Sequence, residues 1–250
     1  MRAADWPLQP IRRTASPSPC RSGISSFTLA AGGRRSKPIA ARYSECHSEG
    51  DRVRALIGVA SANRLLAKLD DAFAALSEAE APARAAAADR ALAEIHYLRG
   101  NLHFARGELD SCRIEHSAAL EAALRLDSRE WRAHALSGLA DAQYLDCRMA
   151  TALELFTECV ELNEAAGLTR VLTASRVMMG DCRIYLCAFD AGLADVRRGL
   201  EIAHRIGNHH GEMFALEATG FCMTAAGRYK EAADIQPQAL AQARAQRAPL

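Results

Sequence analysis

An all-α fold, an α-solenoid of about five antiparallel helix pairs, is predicted by three observations. These are a 40-residue internal repeat, columns of small side chains inside that repeat, and a composition with half its residues apolar but only 6% aromatic. Abundant alanine suits helices in close contact, whereas a sheet sandwich draws on branched and aromatic residues. At 250 residues the chain is long enough to bury a continuous core.

The repeat comes first, because overlooking it would misassign the whole architecture. GNLHFARGELDSC (100–112), ADAQYLDCRMATA (140–152), GDCRIYLCAFDAG (180–192) and GFCMTAAGRYKEA (220–232) superpose without gaps, and ASANRLLAKLDDA (60–72) precedes them in register. One column is always small: Ala60, Gly100, Ala140, Gly180, Gly220. A second, twelve residues on, reads Ala72, Cys112, Ala152, Gly192, Ala232. Two helices can approach closely where both lack bulk, so these columns mark the crossing of each hairpin. Between them Leu69, Leu109, Met149, Phe189 and Tyr229 are large and apolar, placed to plug the end of each pair where its second helix begins. Further along, Ala79, Ala119, Cys159, Gly199 and Ala239 are expected to face the next pair, with Glu80 breaking the apolar pattern that follows.

The turns agree with this register. Gly107, Gly227 and Asp146 fall between the helices of a pair, Gly167 and Gly207-Asn208 between pairs, and Asp127-Ser128 offers an N-cap.

Charge divides the chain. Residues 1–44 carry eight basic side chains against one acid, Asp5, leaving 23 basic and 29 acidic residues in the remainder. Residues 1–43 are therefore expected to be a disordered, basic, Pro/Ser/Arg-rich tail, and 44–246 the helical repeat domain. The net negative remainder has no general attraction to nucleic acid or anionic lipid, and no run of apolar residues is long enough to span a membrane. Eight cysteines without CxxC spacing fit a reducing, cytoplasmic setting.

GNLHFARGELDSC followed by ALEAAL, and GRYKEAADIQPQAL, resemble the tetratricopeptide repeat: a small residue in the first helix, a G-x-aromatic turn, alanine in the second. The resemblance covers about four-fifths of the chain and implies a right-handed solenoid that binds proteins. The 40-residue period is longer than the common 34, and the usual tryptophan and closing proline are missing. More narrowly, AEIHYLRGNLHFARGELDSC is similar to the C-terminal repeat region of bacterial proteins that join a class III nucleotide cyclase domain, or another output domain, to an ATPase module. That likeness implies a regulatory piece of a multidomain protein. Residues 39–50 (IAARYSECHSEG) read as the end of another second helix that residues 1–38 do not continue, as in a truncated or rearranged member of a longer family.

If the first helices line a concave groove, residues flanking the small column face it. The expected groove and peptide-binding residues are Arg64, Tyr97, Asn101, Phe104, Asp141, Tyr144, Asp181, Tyr185 and Phe221, with Arg54, Ser61, His134, Ile184, Phe214 and Glu217 as neighbours. Aromatic and polar side chains so mixed suit an extended peptide or a partner helix. Asn101, Asp141 and Asp181 share a column and would form a mostly acidic ladder, so the protein or peptide partner is expected not to be acidic.

No catalytic residues, cofactor or metal are expected. A phosphate-binding G-x-x-x-x-G-K-[ST] loop is missing, and no Ser-His-Asp or Cys-His set can be argued from position. His96, His103 and His116 would bind zinc only if they converged, and ordinary packing or surface positions are expected instead. Cys112 and Cys159 replace small apolar residues, and core filling is the expectation for Cys182 and Cys187 as well. The last helix carries Ile235, Pro237 and Leu240 on a face that self-association would bury. The function implied is a protein-interaction scaffold in signalling or regulation. The alternative is the regulatory fragment of a nucleotide cyclase or ATPase regulator.

Overall fold

The computed structural model describes residues 48–247, and they form ten α-helices in five hairpins. The helices are α1 (Glu49–Leu65), α2 (Leu69–Ala85), α3 (Asp89–Arg106), α4 (Leu109–Arg125), α5 (Arg129–Leu145), α6 (Met149–Ala166), α7 (Thr169–Tyr185), α8 (Phe189–Arg205), α9 (His209–Ala225) and α10 (Tyr229–Arg247). The basic tail expected over 1–43 lies outside the described residues.

The 40-residue repeat resolves into turns spaced every 20 residues. A residue with left-handed backbone sits at Ala67, Ala87, Gly107, Asp127, Cys147, Gly167, Cys187, Gly207 and Gly227. At every one the next residue's N–H bonds the carbonyl five residues earlier, at 2.8–3.0 Å from Lys68 to Asn63 through Arg228 to Met223. This is the Schellman closure, which satisfies carbonyls orphaned at the helix C-terminus. Ser48, Ser128 and Asn208 then cap α1, α5 and α9 by accepting from the N–H three residues on. Cys147 and Cys187 therefore occupy exposed turn positions. The expectation that Cys187 fills the core is corrected: its column is reserved for the left-handed turn residue, while Cys112, Cys159, Cys182 and Cys222 are the buried thiols.

Both small columns are buried. At the α7–α8 crossing, a Cβ placed on Gly180 would lie 2.4 Å from Val196 and 2.7 Å from the Gly192 carbonyl oxygen. One on Gly192 would lie 2.8 Å from the Gly180 carbonyl. Backbone meets backbone there. The residues that open the second helices are half-buried at Leu69, Leu109, Met149 and Phe189, but Tyr229 is 68% exposed and closes nothing.

Successive first helices α1, α3, α5, α7 and α9 touch one another, whereas no second helix has a Cα within 8 Å of the next second helix. The first helices thus form the tighter, inner layer and the second helices the splayed, outer one. Ion pairs tie the layers together. Arg99 on α3 reaches Glu80 on α2 at 2.8 Å and Glu115 on α4 at 3.2 Å, which explains why Glu80 breaks its apolar column. Burial would raise the Glu80 carboxyl, but Arg99's hydrogen bond and charge outweigh it and hold it below its ordinary value. Arg176 joins Glu164 at 2.6 Å to buried Asp195 at 2.9 Å in the same way.

Two stability effects of opposite sign follow. Gly180→Ala forces α7 and α8 apart and is expected to cost roughly 1–3 kcal/mol. Cys187→Gly relieves a left-handed L-residue and is expected to add about 0.5–1 kcal/mol. Urea denaturation of each variant beside the parent measures both.

Candidate functional site

A hollow of about 820 Å³, its open mouth included, lies in the inner layer and is lined from six helices. Arg64 enters from α1, Tyr97, Asn101 and Phe104 from α3, and His134, Ser137, Gly138 and Asp141 from α5. Val171, Ala174 and Met178 of α7 and Phe214 of α9 supply an apolar wall, and His116 of α4 reaches in from the outer layer.

His116 organises this hollow. Its column reads Leu76, His116, Phe156, Val196 and Gln236; the first four are almost fully buried, so the imidazole stands where the first, third and fourth pairs place an apolar plug. Its ring passes between α3 and α5 at two glycines. A Cβ on Gly100 would come within 2.6 Å of the ring, and one on Gly138 within 2.3 Å. Burial pushes this imidazole down to about 4, so it is neutral, and its Nδ1 has no hydrogen-bond partner. Tyr97 packs beside it at 5.8 Å between ring centroids and lies 5.0 Å from His134, which in turn sits 5.4 Å from Trp131. Burial also lowers His134, against the opposing charge of Glu130.

Charge in the hollow is unneutralised from within. Neither Arg64 nor Asp141 has an ion-pair partner among the described residues, and the Arg64 Nε is buried without an acceptor. Burial raises the Tyr97 hydroxyl; a hydrogen bond from Asn101 and the charge of Arg64 oppose the rise, and Asp141 adds to it. The phenol therefore feels Arg64 and Asp141 together. Desolvation raises Asp141 to about 7, and does the same at Asp181, whose Oδ1 is buried and unpartnered. The acidic ladder is consequently part-protonated near neutral pH.

Of the residues expected from sequence, Arg64, Tyr97, Asn101, Phe104 and Asp141 meet in the hollow. Asp181 lies one pair further on. Tyr144, Tyr185 and Phe221 form a separate aromatic run across α5, α7 and α9, with ring centroids 6.0 and 5.9 Å apart. Tyr185 and Phe221 are 53% and 41% exposed. His134 and Phe214 line the hollow, but Arg54 points to solvent, paired with Asp51. Ile184 is corrected: it is 5% exposed and packs onto Gly192, filling the space that glycine leaves in the fourth hairpin.

His96 and His103 bond Glu115 and Glu108 at 2.7 and 2.6 Å, away from His116, and no three candidate ligands converge among the described residues. The buried thiols of Cys112, Cys182 and Cys222 are pushed up to about 12 by burial, and that of Cys159 to about 11, so they stay protonated. No described helix is long and apolar enough to cross a membrane.

No family model matches this chain, and no curated protein does. Solved structures do. The apo form of RapI is 14% identical over 78% of this chain and 71% of its own, with a TM-score of 0.67. A Rap protein complexed with competence and sporulation factor is 15% identical over 81% and 57%, at 0.66. A signal transduction ATPase with numerous domains and a tetratricopeptide repeat sensor, from Pyrococcus horikoshii, is 12% identical over 75% of this chain but only 30% of its own, at 0.63. The fold is a tetratricopeptide-like α-solenoid. At these identities the likeness concerns architecture alone.

The raised carboxyl of Asp141 has a consequence for this solenoid's stability. Between about pH 4 and its folded value near 7, the folded chain retains a proton that the unfolded chain has released. That stabilisation is full at low pH and disappears as pH rises through 7. Asp141→Asn is expected to add about 1–2 kcal/mol at about pH 8, allowing for water at its half-buried surface, and almost nothing at about pH 4. Urea titrations at the two pH values test this.

Proposed function

We propose that the protein is an interaction scaffold that binds a peptide or partner helix along its inner helices, in cytoplasmic signalling or regulation. The observation that carries this reading is the hollow, where the Arg64 Nε and the His116 Nδ1 are buried without a hydrogen-bond partner among the described residues, and where Asp141 adds a carboxyl without an ion-pair partner among them. Buried polar groups are ordinarily paired, so a site holding several unpaired ones is built for an incoming partner. The aromatic run of Tyr144, Tyr185 and Phe221 extends the surface with anchors typical of binding hot spots. Both features lie on the layer that bends inward, where an extended ligand touches several repeats at once.

The carboxyls of Asp141 and Asp181 make an acidic partner unfavourable. The structural likeness to a Rap protein complexed with competence and sporulation factor supports a peptide or protein ligand. A second reading is favoured by the likeness to the repeat sensor of a signal transduction ATPase. In that reading the solenoid is the regulatory part of a polypeptide with a nucleotide cyclase or ATPase domain, and the same groove receives the signal. An output domain in continuous reading frame with these repeats would favour it.

Exposed Tyr229 and Leu240 on α10 support pairing with a second copy, which light scattering at micromolar concentration reads as a dimer. The groove itself is tested by affinity capture from native lysate with the parent and an Asp141→Lys, Asp181→Lys variant. Partners retained by the parent are expected to be lost from the variant. Equal capture by both would remove the groove from the binding surface.

A further inference from the structure

Resting on the groove reading above, we infer that the hollow is a dipolar subsite: it takes a peptide whose basic side chain pairs with Asp141 while an acidic group of the same peptide pairs with Arg64. The two side chains come from α5 and α1, which each contact α3 but not one another, so α3 lies between them. No ion pair joins them in the described structure, and burial alone accounts for the raised Asp141 carboxyl, with no share from Arg64. An internal salt bridge would have closed the hollow; two separate charges leave it open and oriented.

The floor between them is polar without being charged. The Tyr97 hydroxyl and the Asn101 amide line it from the same helix, α3, and can turn toward a peptide backbone. Beneath them His116 is 1% exposed and neutral, with its Nδ1 unpartnered in a hollow it helps to line. A carboxylate opposite an arginine gains two parallel hydrogen bonds, and a guanidinium opposite a half-desolvated carboxylate gains more than it would in water. Asp181, one pair beyond Asp141, continues the negative side outward, so the peptide's basic end runs toward α7 and its acidic end toward α1. The chain direction of the ligand is thereby set by charge, while Phe104, Met178 and Phe214 take whatever apolar side chain lies between.

The test is selection of a phage-displayed random heptapeptide library on the full chain, followed by affinity measurement of the selected peptides. Backbone amide shifts locate where they sit. Selected peptides are expected to hold a basic and an acidic residue a few positions apart. They should perturb α1, α3 and α5, and bind Asp141→Asn about 30-fold more weakly. Arg64→Gln is expected to remove the acidic preference alone, and circular dichroism checks that both variants fold. Peptides that perturb the same helices without any basic preference, and bind Asp141→Asn within about twofold of the parent, overturn the dipolar reading and leave the groove reading standing. Selection yielding no peptide that perturbs those helices overturns both.

Discussion

Where Gly180 meets Gly192, no side chain separates α7 from α8, and each backbone carbonyl lies where the other residue's Cβ would go. The other hairpins carry small, buried residues at the same two positions: Ala60 and Ala72, Gly100 and Cys112, Ala140 and Ala152, Gly220 and Ala232. This contact sets the distance between paired helices and lets the larger side chains on either side interdigitate. Because it recurs at a fixed spacing, every pair stacks on its neighbour in the same way. Only the first helices then meet their counterparts in the next pair, and an inward-curving surface results.

The hollow is a local variation on that rule. In the second hairpin a histidine takes the place of an apolar plug, and two glycines, Gly100 of that hairpin and Gly138 of the third, make room for its ring. The substitution brings a neutral, hydrogen-bonding group from the outer layer to the floor of the inner one. Around it Tyr97, Trp131 and His134 pack edge and tilt against one another, which fixes the tyrosine between Arg64 and Asp141. Dehydration then acts on both sides of the site: it keeps His116 neutral and raises Asp141, so the empty hollow carries less charge than its residues would in water.

Much of this was legible in the residues. The small columns carry pairing and register, and the positions flanking them include Arg64, Tyr97, Asn101, Phe104 and Asp141, which line one hollow. Two things were not read. The left-handed turn residue repeats every 20 positions, but only four of its nine occurrences are glycine, so Cys147 and Cys187 passed for ordinary repeat residues. His116 reads from sequence as a zinc ligand or a packing residue, and only the buried Leu76, Phe156 and Val196 of its column, which also holds exposed Gln236, mark it as a polar intruder in a plug position. The pairing of that intruder with Gly100 and Gly138 depends on how far each helix turns, which a column of letters does not record. Ile184 shows the same limit: it belongs to the column of Arg64, Phe104 and Tyr144, yet turns inward because Gly192 leaves a gap.

The arrangement that joins fold to site is the His116 ring held between α3 and α5, and nuclear magnetic resonance observes it directly. Close helix approach at Gly100 and Gly138 predicts nuclear Overhauser contacts from the His116 ring protons to the α-protons of both glycines. It also predicts a ring that stays neutral on acidification until about pH 4. A His116 that titrates like an imidazole in water, about 6.5, and shows contact with neither glycine would contradict the account.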